Sequence, residues 1–106
     1  MPKPPRSKAF LGIKKQYPGF IQAMDGVGKA VRKAGPLNEK TAHLIQLGAA
    51  AAIRSEGAVH SHARRALEAG ATQDEVRHAL LVVASTIGFP NVVAAFSWAE
   101  DVLKKK

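Results

Sequence analysis

Apolar positions along this 106-residue chain recur at helical spacing, and Gly and Pro punctuate the runs. Ser7 to Gln16 predicts a short helix that stops before Pro18, because the residue preceding a proline disfavours helical geometry. From Pro18, a favourable first-turn residue, Phe20, Met24, Val27 and Val31 repeat on one face, and Gly35-Pro36 ends that helix. Asn38 is placed to cap a second long helix reaching about Arg54. A third runs from about Ser55 to Ala69 and stops at Gly70, a residue suited to a left-handed terminator. Thr72-Gln73-Asp74-Glu75 matches a capping box, and the helix it opens continues to Gly88-Phe89-Pro90. The last helix, Asn91 to about Leu103, turns Val92, Phe96, Ala99 and Leu103 inward, with terminal lysines at its negative end. No segment reads as a strand. The expected class is all-α, a single-domain bundle of about five to six helices. A basic, Pro-rich and partly helical segment, 1–17, precedes a helical domain, 18–106.

Two stretches have no polar face: Leu47 to Ile53, and Ala79 to Ala84. A helix apolar on all sides predicts burial on all sides. A domain of this length can cover one such helix but not both, so the pattern predicts a homo-oligomer.

Composition narrows the chemistry. Sixteen Lys and Arg against eight acids give a formal net charge of +8. The excess admits a small anionic molecule as partner. Lys3, Arg6, Lys8 and the closing Lys104-Lys105-Lys106 put much of it at the ends, so nucleic-acid binding is not expected. No apolar run reaches the roughly 18–20 residues that span a bilayer, and the start has no apolar leader, so no membrane partner and a cytoplasmic location are expected. The chain has no cysteine, which removes disulfides, thiolate chemistry and Cys-based metal sites. No Gly-rich phosphate loop and no G-x-S-x-G elbow is present.

Four histidines remain. His62 shares a stripe with Ser55, Ala58, Val59, Ala66 and Ala69, while His60 falls on the opposite side near Arg64 and reads as solvent-facing. His43 stacks with Leu47, Ala50 and Arg54, and His78 faces Asp74 one turn away as a surface pair. An imidazole among apolar neighbours suits proton transfer or anion binding, and it equally suits a structural role. Glu56 and His60 lie one turn apart, but His62 points away from both, so no metal site and no cofactor are expected. Ser55 at a helix start reads first as a cap.

Three runs become specific together: Leu37 to Ile45, Arg54 to His62, and Ala66-Leu67-Glu68-Ala69-Gly70-Ala71-Thr72 continuing to Val76. With Gly88-Phe89-Pro90 and the alanine-rich helix after it, they resemble the carboxymuconolactone decarboxylase and alkyl hydroperoxidase D-like superfamily over about residues 18 to 103. The resemblance implies an all-helical subunit assembled into trimers or hexamers, with a site near a subunit interface. In the peroxidase branch a Cys-x-x-Cys pair precedes a histidine, with a glutamate on the preceding helix. Those positions fall on Ser55, Ala58, His62 and His43, so only the histidine is retained and thiol peroxidase activity does not carry over. The decarboxylase branch is similar in lacking thiols. It implies a lyase-type proton transfer on a small lactone carboxylate, with His62 and His43 catalytic and Arg54 and Ser55 binding the substrate. A catalytically inactive structural or ligand-binding oligomer is the alternative, and the residues leave both open.

Overall fold

A computed structural model describes residues 7–103, so the terminal lysines and the first six residues lie outside the description. Every regular element among the described residues is helical. They form two compact units, 7–38 and 39–103, a boundary twenty-one residues past the sequence-based division after residue 17.

The first unit is a pair of packed helices, α1 (Lys8–Gln16) and α2 (Pro18–Lys33). Ser7 caps α1 by accepting the Phe10 N–H at 3.1 Å, and Pro18 opens α2 where its missing N–H costs nothing. Neither helix contains a buried residue, and Phe20, Met24, Val27 and Val31 are each about half exposed or more.

The second unit carries the core. It contains α3 (Glu39–Ala52), α4 (Glu56–Glu68), α5 (Gln73–Val82), the single turn α6 (Ala84–Ile87) and α7 (Phe89–Glu100). α3 packs most extensively on α4, and α7 touches both and also α5. Leu47, Val59, Val76, Leu80 and Leu103 are its largest fully buried side chains, filled in by Ala51, Ala63, Ala66, Ala95 and Ala99. Alanines let helix axes come close. At Gly48 even a methyl group would sit 3.2 Å from Val83 Cγ1, so the α3 backbone there packs directly against the Val83 side chain at the end of α5.

The helix ends explain the turns. At Gly70, with φ +103°, Ala71 N–H reaches back to Ala66 C=O at 2.9 Å and Gly70 N–H to Leu67 C=O at 3.0 Å, closing α4 in a Schellman motif. The same pattern closes α3: Ser55 N–H bonds Ala50 C=O and Arg54 N–H bonds Ala51 C=O, both at 3.1 Å. Here the left-handed position is filled by Arg54 at φ +55°, not by glycine, at a cost of about 1 kcal/mol.

The two all-apolar stretches are not buried on every side. Leu47, Gly48, Ala50 and Ala51 are enclosed, whereas Ala49, Ala52 and Ile53 are exposed. Leu81 and Val82 are exposed beside the enclosed Leu80. The run expected to continue unbroken to Gly88 also stops at Val83, with neither Gly nor Pro to mark the break. Gly88, at φ +90°, then turns the chain into α7, which starts at Phe89, two residues earlier than the spacing predicts.

The Thr72 capping box forms as expected. Thr72 N–H donates to Glu75 Oε1 at 2.9 Å, and Glu75 N–H donates to Thr72 Oγ1 at 3.0 Å. Lys40 Nζ of α3 adds an ion pair to Glu75 Oε2 at 3.2 Å. The Thr72 backbone N–H, and then Lys40, hold the Glu75 carboxyl below the usual carboxylate range. A carboxyl depressed on folding contributes stability above its unfolded pKa and loses that contribution as pH falls through the folded value. Glu75→Gln is therefore expected to melt below the native protein at neutral pH, with the gap closing under strong acid. A gap independent of pH in a thermal melt series would show that the charge is immaterial.

Candidate functional site

α3 and α4 bring His43 and His62 face to face. Their Nδ1 atoms are 3.3 Å apart, the ring centroids 5.6 Å, and the ring planes meet at 35°. His43 is 3% exposed and the only buried polar side chain among the described residues, while His62 is half-buried. Two N–H groups cannot point at each other at this distance. The contact is a hydrogen bond when one Nδ1 carries a hydrogen and the other presents its lone pair, an arrangement that can pass a proton between the rings.

The positions around the pair follow from local chemistry. Ser55 Oγ accepts the Ala58 N–H at 3.2 Å, so the hydroxyl caps α4 two turns before His62. Ala58 packs against the core. Arg54 is exposed at the α3–α4 turn; its Nη1 donates to Asn91 Oδ1 at 2.6 Å, and its guanidinium lies 5.9 Å from the Trp98 ring centroid. Asn91 is itself held by donating Nδ2–H to Ile87 C=O at 2.6 Å. The structure thus joins His43 to His62 and directs Arg54 to α7. Arg54 lies before the start of α4, and from Glu56 to His62 the helix rises about 9 Å.

Gln46 escaped the sequence reading. Its Oε1 is buried with no hydrogen-bond partner among the described residues, and it lies one turn along α3 from His43. An enclosed, unpaired acceptor costs about 1–3 kcal/mol, which a donor on a bound molecule would offset. Spacing alone cannot mark such a residue, because glutamine in a helix is ordinarily solvated.

Two histidines have surroundings other than those expected. His60 is not solvent-facing: its side chain is 15% exposed, and its Nε2 lies 2.8 Å from Asp101 Oδ2. His78 is exposed, but Asp74 pairs with Arg77 Nη1 at 3.5 Å. Arg77 also clasps Glu100 with Nε to Oε1 at 2.8 Å and Nη2 to Oε2 at 3.4 Å, tying α5 to α7. Hydrogen bonding to Glu100 raises the Arg77 pKa, so the guanidinium of this clasp stays charged.

Residues 18–101 match the model of the carboxymuconolactone decarboxylase family. The chain belongs to this family. A protein of Methanocaldococcus jannaschii, MJ1511, described as uncharacterized, is 31% identical over 83 residues, which cover 78% of each chain. A Haemophilus influenzae protein, also described as uncharacterized, is 37% identical over 59 residues, 56% of this chain and 52% of that one. The crystal structure of apo-lpg0406, a carboxymuconolactone decarboxylase family protein from Legionella pneumophila, superposes with a TM-score of 0.74 at 24% identity. It covers 88% of this chain and 83% of that one, which establishes the shared all-helical fold. The sequence contains no cysteine, so this chain itself offers no thiol. No helix among the described residues is long and apolar enough to cross a membrane.

Proposed function

We propose that this protein is a cytoplasmic, homo-oligomeric lyase that moves a proton during decarboxylation of a small lactone carboxylate. The observation that carries the reading is the His43–His62 pair: two imidazoles whose Nδ1 atoms are 3.3 Å apart, one ring enclosed, on a frame without cysteine. In decarboxylation the bond between the ring carbon and the carboxylate breaks, carbon dioxide leaves, and the electron pair stays on the substrate. A proton must then reach that carbon. His62, the more accessible ring, donates it, His43 passes its Nδ1 hydrogen to His62, and a proton from water then replaces the one the pair has lost. Gln46 Oε1 is an acceptor available to the substrate. Arg54 supplies positive charge at the α3–α4 turn, with one donor committed to Asn91 and others left for a carboxylate. Ser55 contributes through the helix start it caps.

The test is carbon dioxide release from a panel of small lactone carboxylates mixed with the native protein. Release with at least one of them supports the reading. No release, with no compound raising the melting temperature, supports the inactive structural oligomer instead.

Assembly is the second part of this proposal. In the 39–103 unit, Ile53 at 74%, Phe89 at 72% and Val82 at 60% exposure are large apolar side chains in water. A second copy covering them would remove that surface from solvent. Sedimentation velocity at micromolar concentration is expected to give a trimer or hexamer, and Val82→Glu to shift it toward smaller species. A native protein that sediments as a monomer overturns the assembly.

A further inference from the structure

We propose that Glu56, His60 and Asp101 form a binding site for one divalent transition-metal cation of the Zn²⁺ class, separate from the His43–His62 pair. Glu56 is the first residue of α4, His60 follows one turn later, and Asp101 is the C-cap of α7. One ligand atom from each residue lies within 4.8 Å of the other two. His60 Nε2 stands between the carboxylates, 2.8 Å from Asp101 Oδ2 and 4.0 Å from Glu56 Oε2. Those separations straddle the roughly 3.3 Å edge of a tetrahedron with bonds of about 2.0–2.1 Å, so small rotamer changes place all three around one cation.

The donor set decides the class of metal. One imidazole and two carboxylates suit Zn²⁺ and its first-row neighbours, whereas Ca²⁺ needs six to eight oxygens and Mg²⁺ near-ideal octahedral geometry. With the imidazole neutral, the two carboxylates carry a local charge of −2 in a chain of net +8, and a divalent cation neutralises them. The frame is built before any metal arrives. Ser55 caps the helix end that presents Glu56, and the Arg77–Glu100 clasp fixes the residue next to Asp101. The imidazole is mostly enclosed, so the nitrogen aimed between the acids is already oriented. His62, two positions further on, faces His43 and contributes no ligand.

The third ligand lies forty-one residues from His60, which is why helical spacing within α4 does not find the site. Bound metal would pin the start of α4 to the end of α7 and stabilise the unit by mass action.

The experiment is calorimetric titration of the untagged full-length chain with ZnCl₂, paired with thermal melts before and after EDTA. One equivalent per chain is expected, with a rise in melting temperature that EDTA reverses. Asp101→Asn and His60→Gln, each confirmed folded by circular dichroism, should weaken binding by about tenfold or more. The double variant His43→Gln/His62→Gln, confirmed folded in the same way, should leave it unchanged. Absence of Zn²⁺ binding, binding that survives both Asp101→Asn and His60→Gln, or binding lost in the His43/His62 double variant overturns the proposal.

Discussion

His62→Ala is expected to lower turnover of a lactone carboxylate by about 10²–10⁴-fold, the usual contribution of a positioned proton donor. The loss should appear in kcat, because the imidazole acts on the carbanion-like carbon that forms only as carbon dioxide departs. Structure should be spared. His62 is half-buried beside the small side chains of α4, and the caps at Ser55 and Gly70 do not involve it. His43→Ala is a poorer test. It empties a position 3% exposed and takes away the partner of His62 Nδ1, so lost activity would be mixed with lost stability. Arg54→Gln separates binding from chemistry: it should raise KM more than it lowers kcat, and it also removes the guanidinium from Asn91 and Trp98. His62→Ala with native turnover, on a chain whose helix content and sedimentation are unchanged, ends the proton-transfer reading.

What could be read from the sequence is what local chemistry decides. The Thr72–Glu75 box, the Ser55 cap and the Gly70 terminator each depend on groups within a few residues of one another, and all three are present. The all-helical class, and the family itself, were legible for the same reason: periodicity and contiguous motifs survive in one dimension. The failures lie where partners are distant. Asp101 sits forty-one residues from His60 and Asn91 thirty-seven from Arg54, so no spacing rule joins them. Arg54 at a left-handed helix terminus was invisible because glycine normally fills that position. The break at Val83 carries no Gly or Pro; the chain turns there between Leu80, buried on one side, and Gly88, which needs a positive φ. The exposure of Leu81 and Val82 illustrates a different gap. Hydropathy reports that a side chain avoids water, and says nothing about whether its own chain or another copy provides the cover.

That distinction can be measured at two adjacent residues. Leu80 is fully buried and Leu81 is 55% exposed. Only a few large side chains fill this core, and its other positions are mostly alanines whose methyl groups cannot move in to close a void. Leu80→Ala should therefore cost about 2–5 kcal/mol, a large share of the roughly 5–15 kcal/mol available to a domain. The loss should appear as a lower urea midpoint with little change in slope. It should also be independent of protein concentration, since the cavity forms inside the 39–103 unit. Leu81→Ala removes the same atoms from a side chain that its own chain leaves in solvent. Its intrinsic cost should stay within about 0.5 kcal/mol, and any larger loss should grow on dilution, because only association would have covered that residue. Equal, concentration-independent losses at both positions would mean that Leu80 and Leu81 share one interior, contrary to the packing of α5 described above.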